Sequence, residues 1–247
     1  MHAVAHGSHD RRPPFAPPDV PCVFAAQAEH IASYNPDVVA LQEVSINHPF
    51  GEKIDYPELV AKYLGMNYCF GKALNYVDYF PDCDGVYGVA VLSKYPVELV
   101  DKIMLPVPEG IEPRVALVTK IAAPTPFYMI STHLSYQGEF PNDTNSRVDQ
   151  LETVFAYLKE RQISPVILAG DLNSQPQDNS IDALRRDFEV FNDGRSDKPT
   201  AESSKYGWVQ IDYISASPKK QWKCENFFVG NDCTASDHYA VIADLEI

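Results

Sequence analysis

Two short segments of this 247-residue chain are apolar at every position, a pattern typical of strands in the middle of a covered sheet. The first spans residues 38–41, and the second spans residues 166–169 after Pro165. A strand that is apolar on both faces needs a layer of structure on each side. The chain is therefore expected to fold around a buried sheet, and it is long enough to bury a sizeable core.

Helical and strand patterns alternate along the chain and predict a mixed α/β fold. An apolar stripe predicts a helix over residues 22–34, which Asn35-Pro36 ends because the residue before proline avoids the helical region. Further helices are predicted over residues 56–64 and after a cap at Asp143 or Thr144. Other strands are predicted over residues 68–74, 87–93, 98–105, 114–121, 127–132, 210–216, 225–229 and 239–247. Strands outnumber helices, so we expect two packed sheets with helices outside, in a single domain spanning residues 1–247.

Polar residues suited to catalysis or metal binding interrupt or follow these strands. They are Glu43, His133, Asp171, Asn173, Asp212, Asp237 and His238. Asp171 and Asn173 stand two positions apart, so strand alternation can aim both side chains into one cleft. There the carboxylate can orient an attacking water molecule, and the amide can donate a hydrogen bond to a phosphoryl oxygen.

The other polar residues suit the same chemistry. Glu43 is enough to seat Mg²⁺, because this ion binds one or two carboxylates and keeps several waters. His133 can donate a hydrogen bond to developing negative charge. Asp212 lies among apolar neighbours, where a carboxylate needs a partner, and His238 is the obvious one. Such a pair orients the imidazole and raises its pKa, while Asp237 can bind metal or hold water beside it.

Each of these residues also has a purely structural interpretation. Glu43 can be an exposed residue at a strand end, and His133 can be a satisfied structural histidine. Asp171 and Asn173 can close a turn, and Asp237 can cap the loop before the last strand. All of these interpretations holding together is much less probable than one of them alone. The joint pattern favours a metal-assisted phosphate-ester hydrolase.

The segments that carry these residues resemble the endonuclease/exonuclease/phosphatase superfamily, whose members share the deoxyribonuclease-I-like fold. The matching segments come in the family's order and span residues 35–43, 131–134, 169–173, 211–214 and 236–238. The resemblance implies a four-layer α/β/β/α sandwich of two mixed sheets. It also implies hydrolysis of phosphomonoesters or phosphodiesters with Mg²⁺ or Mn²⁺ as the cofactor.

Carried over by position, the resemblance implies a role for each residue. Glu43 would bind the metal ion, and Asp237 would lie near it. His133 and Asn173 would bind the substrate phosphate and stabilise the transition state.

The water and its proton would be handled by three further residues. Asp171 would position or deprotonate the water, and Asp212 would orient His238. The segment around Arg114 resembles one found in many bacterial members, so Arg114 is a candidate for binding the substrate phosphate. The alternative is an arginine in a surface ion pair. Val89 stands where many bacterial relatives carry asparagine, which leaves the subfamily open.

The start of the chain departs from the family pattern. Family members usually begin with a strand that ends in a metal-binding asparagine, whereas residues 1–7 look like the loop that follows such a strand. We therefore expect residues 1–21 to form a mobile N-terminal loop. The usual first strand would then be either encoded upstream of Met1 or lost. The three histidines of this segment are interpreted as loop residues and not as a metal site: His2, His6 and His9.

The formal charge of −14 bears on the substrate. Nucleic-acid binding draws on Lys and Arg that neutralise phosphates, so this charge disfavours avid binding to a polyanion. We expect a small or lipid-derived phosphate ester, with a DNA or RNA nuclease as the alternative within the enzyme class. A catalytically impaired binding or scaffold protein with the same fold is the alternative of another class, motivated by the absent first strand.

Cysteine usage and hydropathy bear on the compartment. The five cysteines form no CxxC pair, so a zinc cluster has little support, although Cys224 and Cys233 could bridge in an exported protein. No apolar run approaches the roughly 18 residues of a membrane span. We expect a monomeric cytoplasmic protein, unless an export signal is encoded upstream of Met1.

Overall fold

The computed structural model describes residues 2–7, 21–50, 53–136, 146–193, 199–203, 207–230 and 236–247, of which residues 2–7, 21–25 and 203 are described by their backbone. Its helices are α1 (Pro21–Ser33), α2 (Tyr56–Leu64), α3 (Ser146–Arg161) and α4 (Asn179–Asp187). Its first seven strands are β1 (His2–Gly7), β2 (Val38–Ile46), β3 (Asn67–Asn75), β4 (Val86–Ser93), β5 (Val97–Leu105), β6 (Arg114–Ile121) and β7 (Phe127–His133). The others are β8 (Val166–Asp171), β9 (Glu189–Val190), β10 (Ala201–Ser203), β11 (Gly207–Val209), β12 (Asp212–Ser217), β13 (Lys223–Val229) and β14 (Val241–Glu246).

The first sheet has the strand order β13-β14-β1-β2-β4-β3. Strand β1 lies inside it, antiparallel to β14 and parallel to β2, with Ala3 opposite both Ala243 and Val38. The prediction of a mobile loop over residues 1–21 is therefore wrong for residues 2–7, and the first strand is not missing. Six small and polar residues give a weak local strand signal, and the hydrogen bonds that hold them come from strands more than thirty residues away. The rest of that segment, before α1, lies outside the described residues.

The second sheet has the strand order β5-β6-β7-β8-β12-β9. Strands β7 and β8 run parallel, and β12 runs antiparallel to β8. The C-terminal ends of β7 and β8 therefore meet the N-terminal start of β12 at one edge of the sheet. Strands β10 and β11 form a separate two-stranded hairpin.

The two sheets pack face to face, with helices on both outer sides. The apolar cluster between the sheets includes Val38, Val91, Ile167 and Ile214. A second cluster joins α3 and α4 to the outer face of the second sheet, and a third joins α1 and α2 to the outer face of the first. Alternate residues of one strand enter different clusters, as the period of two requires. The predicted four-layer sandwich of two mixed sheets is confirmed.

Local signals explain where the best-defined helix starts and stops. The Asp55 side chain accepts a hydrogen bond from the backbone N–H of Glu58, and Pro57 lies in the first turn of α2. Gly65 ends the helix in the left-handed conformation, with φ of 66°. Tyr56 and Val60 are buried against the first sheet. Capping and an apolar face thus agree with the predicted helix over residues 56–64.

Most predicted strands lie within two residues of their predicted bounds, with one exception that matters for the site. Strand β2 does not stop at Leu41 but continues to Ile46, so Glu43 lies inside the strand and not beyond it.

Helix α4 and the short strands β9, β10 and β11 were not predicted. The proposed caps Asp143 and Thr144 lie outside the described residues. Val89 is buried in the apolar cluster between the sheets.

Along the described parts of the chain, the helices are too short or too polar to cross a membrane.

Candidate active site

Three predicted site residues form one row across neighbouring strands of the second sheet. His133 is the last residue of β7, Asp171 the last of β8, and Asp212 the first of β12. Asp171 lies directly opposite His133 on one side and Asp212 on the other. His133 Nε2 is 3.5 Å from Asp171 Oδ2. Strand pairing alone therefore brings together three side chains that are far apart in sequence.

His238 reaches this row from the segment before β14, in the opposite sheet. Its Nδ1 lies 3.0 Å from Oδ2 and 3.1 Å from Oδ1 of Asp212. Its Nε2 lies 3.9 Å from Asp171 Oδ2. Burial lowers the pKa of His238, but the charge and hydrogen bond of Asp212 and the charge of Asp171 outweigh it and raise the pKa to about 10. The predicted pairing of Asp212 with His238 is present.

Asp171 is a buried carboxyl beside another carboxylate. Burial and then the negative charge of Asp212 raise the pKa of Asp171 to about 7, against the opposing effects of His238 and of a hydrogen bond. That bond comes from the backbone N–H of Asn173 to Oδ1, at 2.7 Å. The carboxyl of Asp171 can therefore gain or lose a proton near neutral pH.

Asn173 follows in a left-handed backbone conformation, with φ of 47°. Its amide nitrogen donates to the carbonyl oxygen of Leu134 at 2.9 Å, which fixes the orientation of the amide. The same nitrogen lies 3.0 Å from His133 Nε2. Asn173 and His133 therefore lie side by side at the edge of the sheet.

Glu43 approaches the row from the first sheet, and a β-bulge sets its position. Leu41 pairs with Ala90 and Val44 with Gly88, so β2 carries one extra residue between these pairs. Glu43 lies in this bulge with φ of 56°. Its Oε1 is 3.7 Å from His133 Nδ1. The bulge turns a carboxylate out of an apolar strand and towards the other sheet.

Arg114 lies at the start of β6, beside His133. Its Nη1 lies 2.8 Å from Glu112 Oε1, in an ion pair, and 2.9 Å from His133 Nδ1. The side chain of Arg114 is only 5% exposed. The ion pair that the sequence offered as an alternative exists, but its arginine is buried at the site, whereas Glu112 is half-buried.

Asp237 directly precedes His238, and its backbone holds this segment in place. The carbonyl oxygen of Asp237 accepts a hydrogen bond from the backbone N–H of Glu202 in β10, at 3.0 Å. The carboxyl oxygen Oδ1 of Asp237 is buried.

Of the three N-terminal histidines, His2 and His6 belong to β1, and His9 lies outside the described residues.

Sequence reasoning missed two buried polar residues that support the site. Gln42 donates from Nε2 to Ser131 Oγ at 3.0 Å, and Ser131 donates to the carbonyl oxygen of Leu41 at 3.1 Å, which ties β2 to β7 beside the bulge. Thr200 donates from Oγ1 to Asp212 Oδ2 at 2.7 Å. Gln42 could have been recognised in the sequence as a polar residue that directly follows an apolar strand segment. No local pattern distinguishes Thr200.

A subset of these side chains has the spacing of a cation site. One ligand atom each from Asp171, Asp212 and His238 lie within 4.8 Å of one another. Carboxylate oxygens suit hard divalent cations such as Mg²⁺ and Mn²⁺.

Comparison with known families identifies the chain. The profile of the "Endonuclease/Exonuclease/phosphatase family" matches residues 15–238. The chain belongs to this family. The predicted resemblance is thereby confirmed, and with it membership of a group of phosphoester hydrolases.

Solved structures of the endonuclease/exonuclease/phosphatase family share the fold along the whole chain. An endonuclease/exonuclease/phosphatase from Beutenbergia cavernae DSM 12333 is 24% identical with a TM-score of 0.76, over 100% of this chain and 71% of that chain. The human Nocturnin catalytic domain with bound sulfate is 18% identical with a TM-score of 0.71, over 100% and 94% of the two chains. TDP2 from D. rerio, complexed with a single-strand DNA product, is 17% identical with a TM-score of 0.70, over 100% and 99%. No curated protein matches the chain.

Proposed function

We propose that this protein is a Mg²⁺- or Mn²⁺-dependent hydrolase of phosphate esters that uses in-line attack by water. One observation carries the proposal. The Asp212–His238 pair and Asp171 converge from two sheets. Nδ1 of His238 is bonded to Asp212, and its other ring nitrogen, Nε2, faces the Asp171 carboxyl. We further propose that residues 1–247 act as one domain, since the apolar cluster between the sheets joins strands from both halves of the chain.

The residues around the row fit a divalent cation, and we propose Glu43 and Asp237 as its ligands. Glu43 supplies a carboxylate at the edge of the row, next to His133. Asp212 is a poorer candidate, because both of its carboxyl oxygens lie within hydrogen-bond distance of His238 and one also accepts from Thr200. A bound cation would act as a Lewis acid on a non-bridging phosphoryl oxygen and would support the leaving oxygen.

The proposed role of Asp171 is to take the proton of the attacking water. With a pKa of about 7, its carboxyl is ionised in a large fraction of molecules at neutral pH and is still basic enough to accept a proton. His238 has a pKa of about 10 and so presents a charged N–H from Nε2 beside Asp171. This group can donate to the negative charge that develops on the phosphoryl oxygens. Asp212 holds the ring in the required orientation.

His133, Asn173 and Arg114 are proposed to bind the phosphoryl group. The Asn173 amide and the Arg114 guanidinium are hydrogen-bond donors, and both lie within 3.0 Å of a ring nitrogen of His133. The three side chains thus form a compact group beside Asp171. A cluster of donors at this place would neutralise charge on the equatorial oxygens of the transition state.

For the substrate, we propose a small or lipid-derived phosphodiester or a phosphomonoester. The formal charge of −14 supports this choice, because long-range repulsion disfavours a polyanion. A nuclease acting on DNA or RNA is the second candidate, favoured by the similarity to D. rerio TDP2, whose structure holds a single-strand DNA product. The presence of β1 in the first sheet removes the observation that motivated the scaffold alternative.

The test is hydrolysis of bis-p-nitrophenyl phosphate and p-nitrophenyl phosphate during titration with Mg²⁺ and Mn²⁺. We expect metal-dependent hydrolysis by the wild type and a loss of about 10²- to 10⁴-fold in His238→Ala. His30→Ala, which removes a histidine from α1 outside the row, is the matched control and should retain activity. Equal rates for wild type and His238→Ala would overturn the proposal. Single-stranded and duplex oligonucleotides in the same assay distinguish the nuclease from the small-substrate enzyme.

A further inference from the structure

Thr200 is a fully buried residue whose side chain contacts the Asp212–His238 pair without lying in the row. Its Oγ1 accepts hydrogen bonds from the backbone N–H groups of Ile211 and Asp212, each at 3.0 Å. The same hydroxyl lies 2.7 Å from Asp212 Oδ2, to which it donates.

The hydrogen-bonding capacity of a hydroxyl makes this arrangement directional. A threonine hydroxyl has one hydrogen and two lone pairs. Because both lone pairs of Thr200 face backbone N–H groups, its hydrogen is committed to the Asp212 carboxylate. Asp212 Oδ2 thus receives one hydrogen bond from Thr200 and one from His238 Nδ1, at 3.0 Å. Two donors from different directions fix the plane of the carboxylate.

The backbone of Thr200 holds the other member of the pair. Its carbonyl oxygen accepts a hydrogen bond from the N–H of Tyr239, the residue after His238, at 2.7 Å. Next to it, Ala201 forms an isolated antiparallel bridge with His238. Thr200 therefore contacts Asp212 through its side chain and the His238 segment through its main chain.

We propose that Thr200 is the positioning residue of the Asp212–His238 pair. It sets the distance and angle between the carboxylate and Nδ1, and so holds Nε2 towards Asp171. The kinetic part of this inference rests on the proposed function, in which His238 acts on the phosphoryl group. Partners that orient a functional side chain in this way typically change activity by about 10- to 100-fold when they are removed.

The first experiment compares Thr200→Val, which removes the hydroxyl, with Thr200→Ser, which keeps it. Thr119→Val is the matched control, because Thr119 is equally buried and its hydroxyl donates to the carbonyl oxygen of Met129 in the second sheet. With bis-p-nitrophenyl phosphate and Mn²⁺, we expect kcat of Thr200→Val to fall about 10- to 100-fold with KM within about twofold. Thr200→Ser should stay within about threefold of the wild type, and Thr119→Val within about twofold.

A double mutant separates positioning from a general loss of structure. If Thr200 acts through His238, Thr200→Val should have less than about a twofold effect in the His238→Ala background. An equal loss in both backgrounds would overturn the proposal. So would failure of Thr200→Val to fold while Thr200→Ser and Thr119→Val fold, because Thr200 would then be a structural residue.

A spectroscopic measurement tests the geometry without relying on activity. The Nδ1 proton of His238, bonded to a carboxylate, should give a downfield NMR resonance that is absent in His238→Ala. We expect Thr200→Val to shift or broaden it, and Thr200→Ser and Thr119→Val to retain it. An unchanged resonance in Thr200→Val would overturn the inference. A wild type that hydrolyses neither ester but shows these resonance changes would contradict the proposed function and leave the positioning role of Thr200 supported.

Discussion

Asp171 and Asp212 lie directly opposite each other on the antiparallel strands β8 and β12, with the imidazole of His238 within 3.9 Å of both carboxyl groups. Two buried carboxylates this close favour a proton on one of them, and a cation between them favours ionisation. The charge of Asp212 therefore affects the titration of both Asp171 and His238.

The coupling predicts how Asp212→Asn changes the pH dependence of activity. Burial, and then the charge of Asp212, raise the pKa of Asp171 to about 7. At His238 burial lowers the pKa, but the charge and hydrogen bond of Asp212 contribute most to raising it to about 10. In the proposed mechanism, hydrolysis needs Asp171 ionised and His238 protonated, so the rate should rise through the first pKa and fall through the second. In Asp212→Asn both limbs of the kcat/KM profile should move to lower pH, together with a lower maximum.

The profile has a control and a direct check. Asp182→Asn, which neutralises an exposed carboxylate in the first turn of α4, should leave both limbs in place. NMR titration of the metal-free protein should show His238 protonated up to about pH 9 in the wild type and deprotonated at lower pH in Asp212→Asn. An unchanged His238 titration in Asp212→Asn would show that the pair does not form in solution.

Glu43→Gln is predicted to weaken the binding of Mg²⁺ or Mn²⁺. The substitution keeps the size and length of the side chain but removes its negative charge. Hard cations bind carboxylates more tightly than amides. We expect the metal concentration for half-maximal activity to rise about 10-fold or more. Glu98→Gln, at an exposed position of β5, is the control. The same metal dependence in both variants would exclude Glu43 as a ligand.

Gly170→Ala is predicted to destabilise the fold strongly. A Cβ at this position would lie 1.9 Å from the backbone oxygen of Thr132, its neighbour on β7, and backbone atoms in a sheet cannot move aside cheaply. We expect a loss of about 3 kcal/mol or more in the free energy of unfolding, or no folded protein. Gly110→Ala is the control. Among the described residues beyond its chain neighbours, no atom lies within 4 Å of its Cβ position, so the positive φ is what opposes the substitution, at a cost of about 1–3 kcal/mol. Equal denaturant midpoints for the two variants would contradict the close approach of β7 and β8.

Much of the fold was predictable because its central strands carry their own signal. Residues 38–41 and 166–169 are apolar on both faces, and they lie in β2 and β8, covered on both sides. Strand β1 was not predictable in the same way. Its residues are small or polar, and its place between β14 and β2 depends on partners distant in sequence.

The composition of the site was predictable, but its geometry was not. His133, Asp171 and Asn173 mark strand ends, and parallel pairing of β7 and β8 brings such ends together. The bulge that turns Glu43 towards His133 depends on the count of residues between two pairs of β2 and β4, which the sequence of β2 alone does not reveal. Thr200 contacts Asp212 because the β10–β11 hairpin folds back over the His238 segment, and this is a tertiary relationship.

Arg114→Lys is predicted to impair substrate binding more than metal binding. Arg114 is buried, and one guanidinium nitrogen forms an ion pair with Glu112 while lying beside His133. A planar guanidinium can bond Glu112 and a phosphate oxygen at once, whereas a lysine ammonium is a compact point charge that cannot reproduce this fork. We expect KM for phosphate esters to rise about 10-fold, with the half-saturating metal concentration unchanged.

The matched control for this substitution is Arg185→Lys. Arg185 also bonds carboxylates through its fork, to Asp182 and Asp193, but it lies in the last turn of α4, away from the site. Both variants replace a guanidinium fork with an ammonium that faces carboxylates. Any loss of stability from losing the fork should therefore appear in both variants, and it should be smaller at the more exposed pair. A KM that rises only in Arg114→Lys therefore reports contact with the substrate. If Arg114→Lys lowers the melting temperature and leaves KM unchanged, Arg114 serves only to hold Glu112 beside the row.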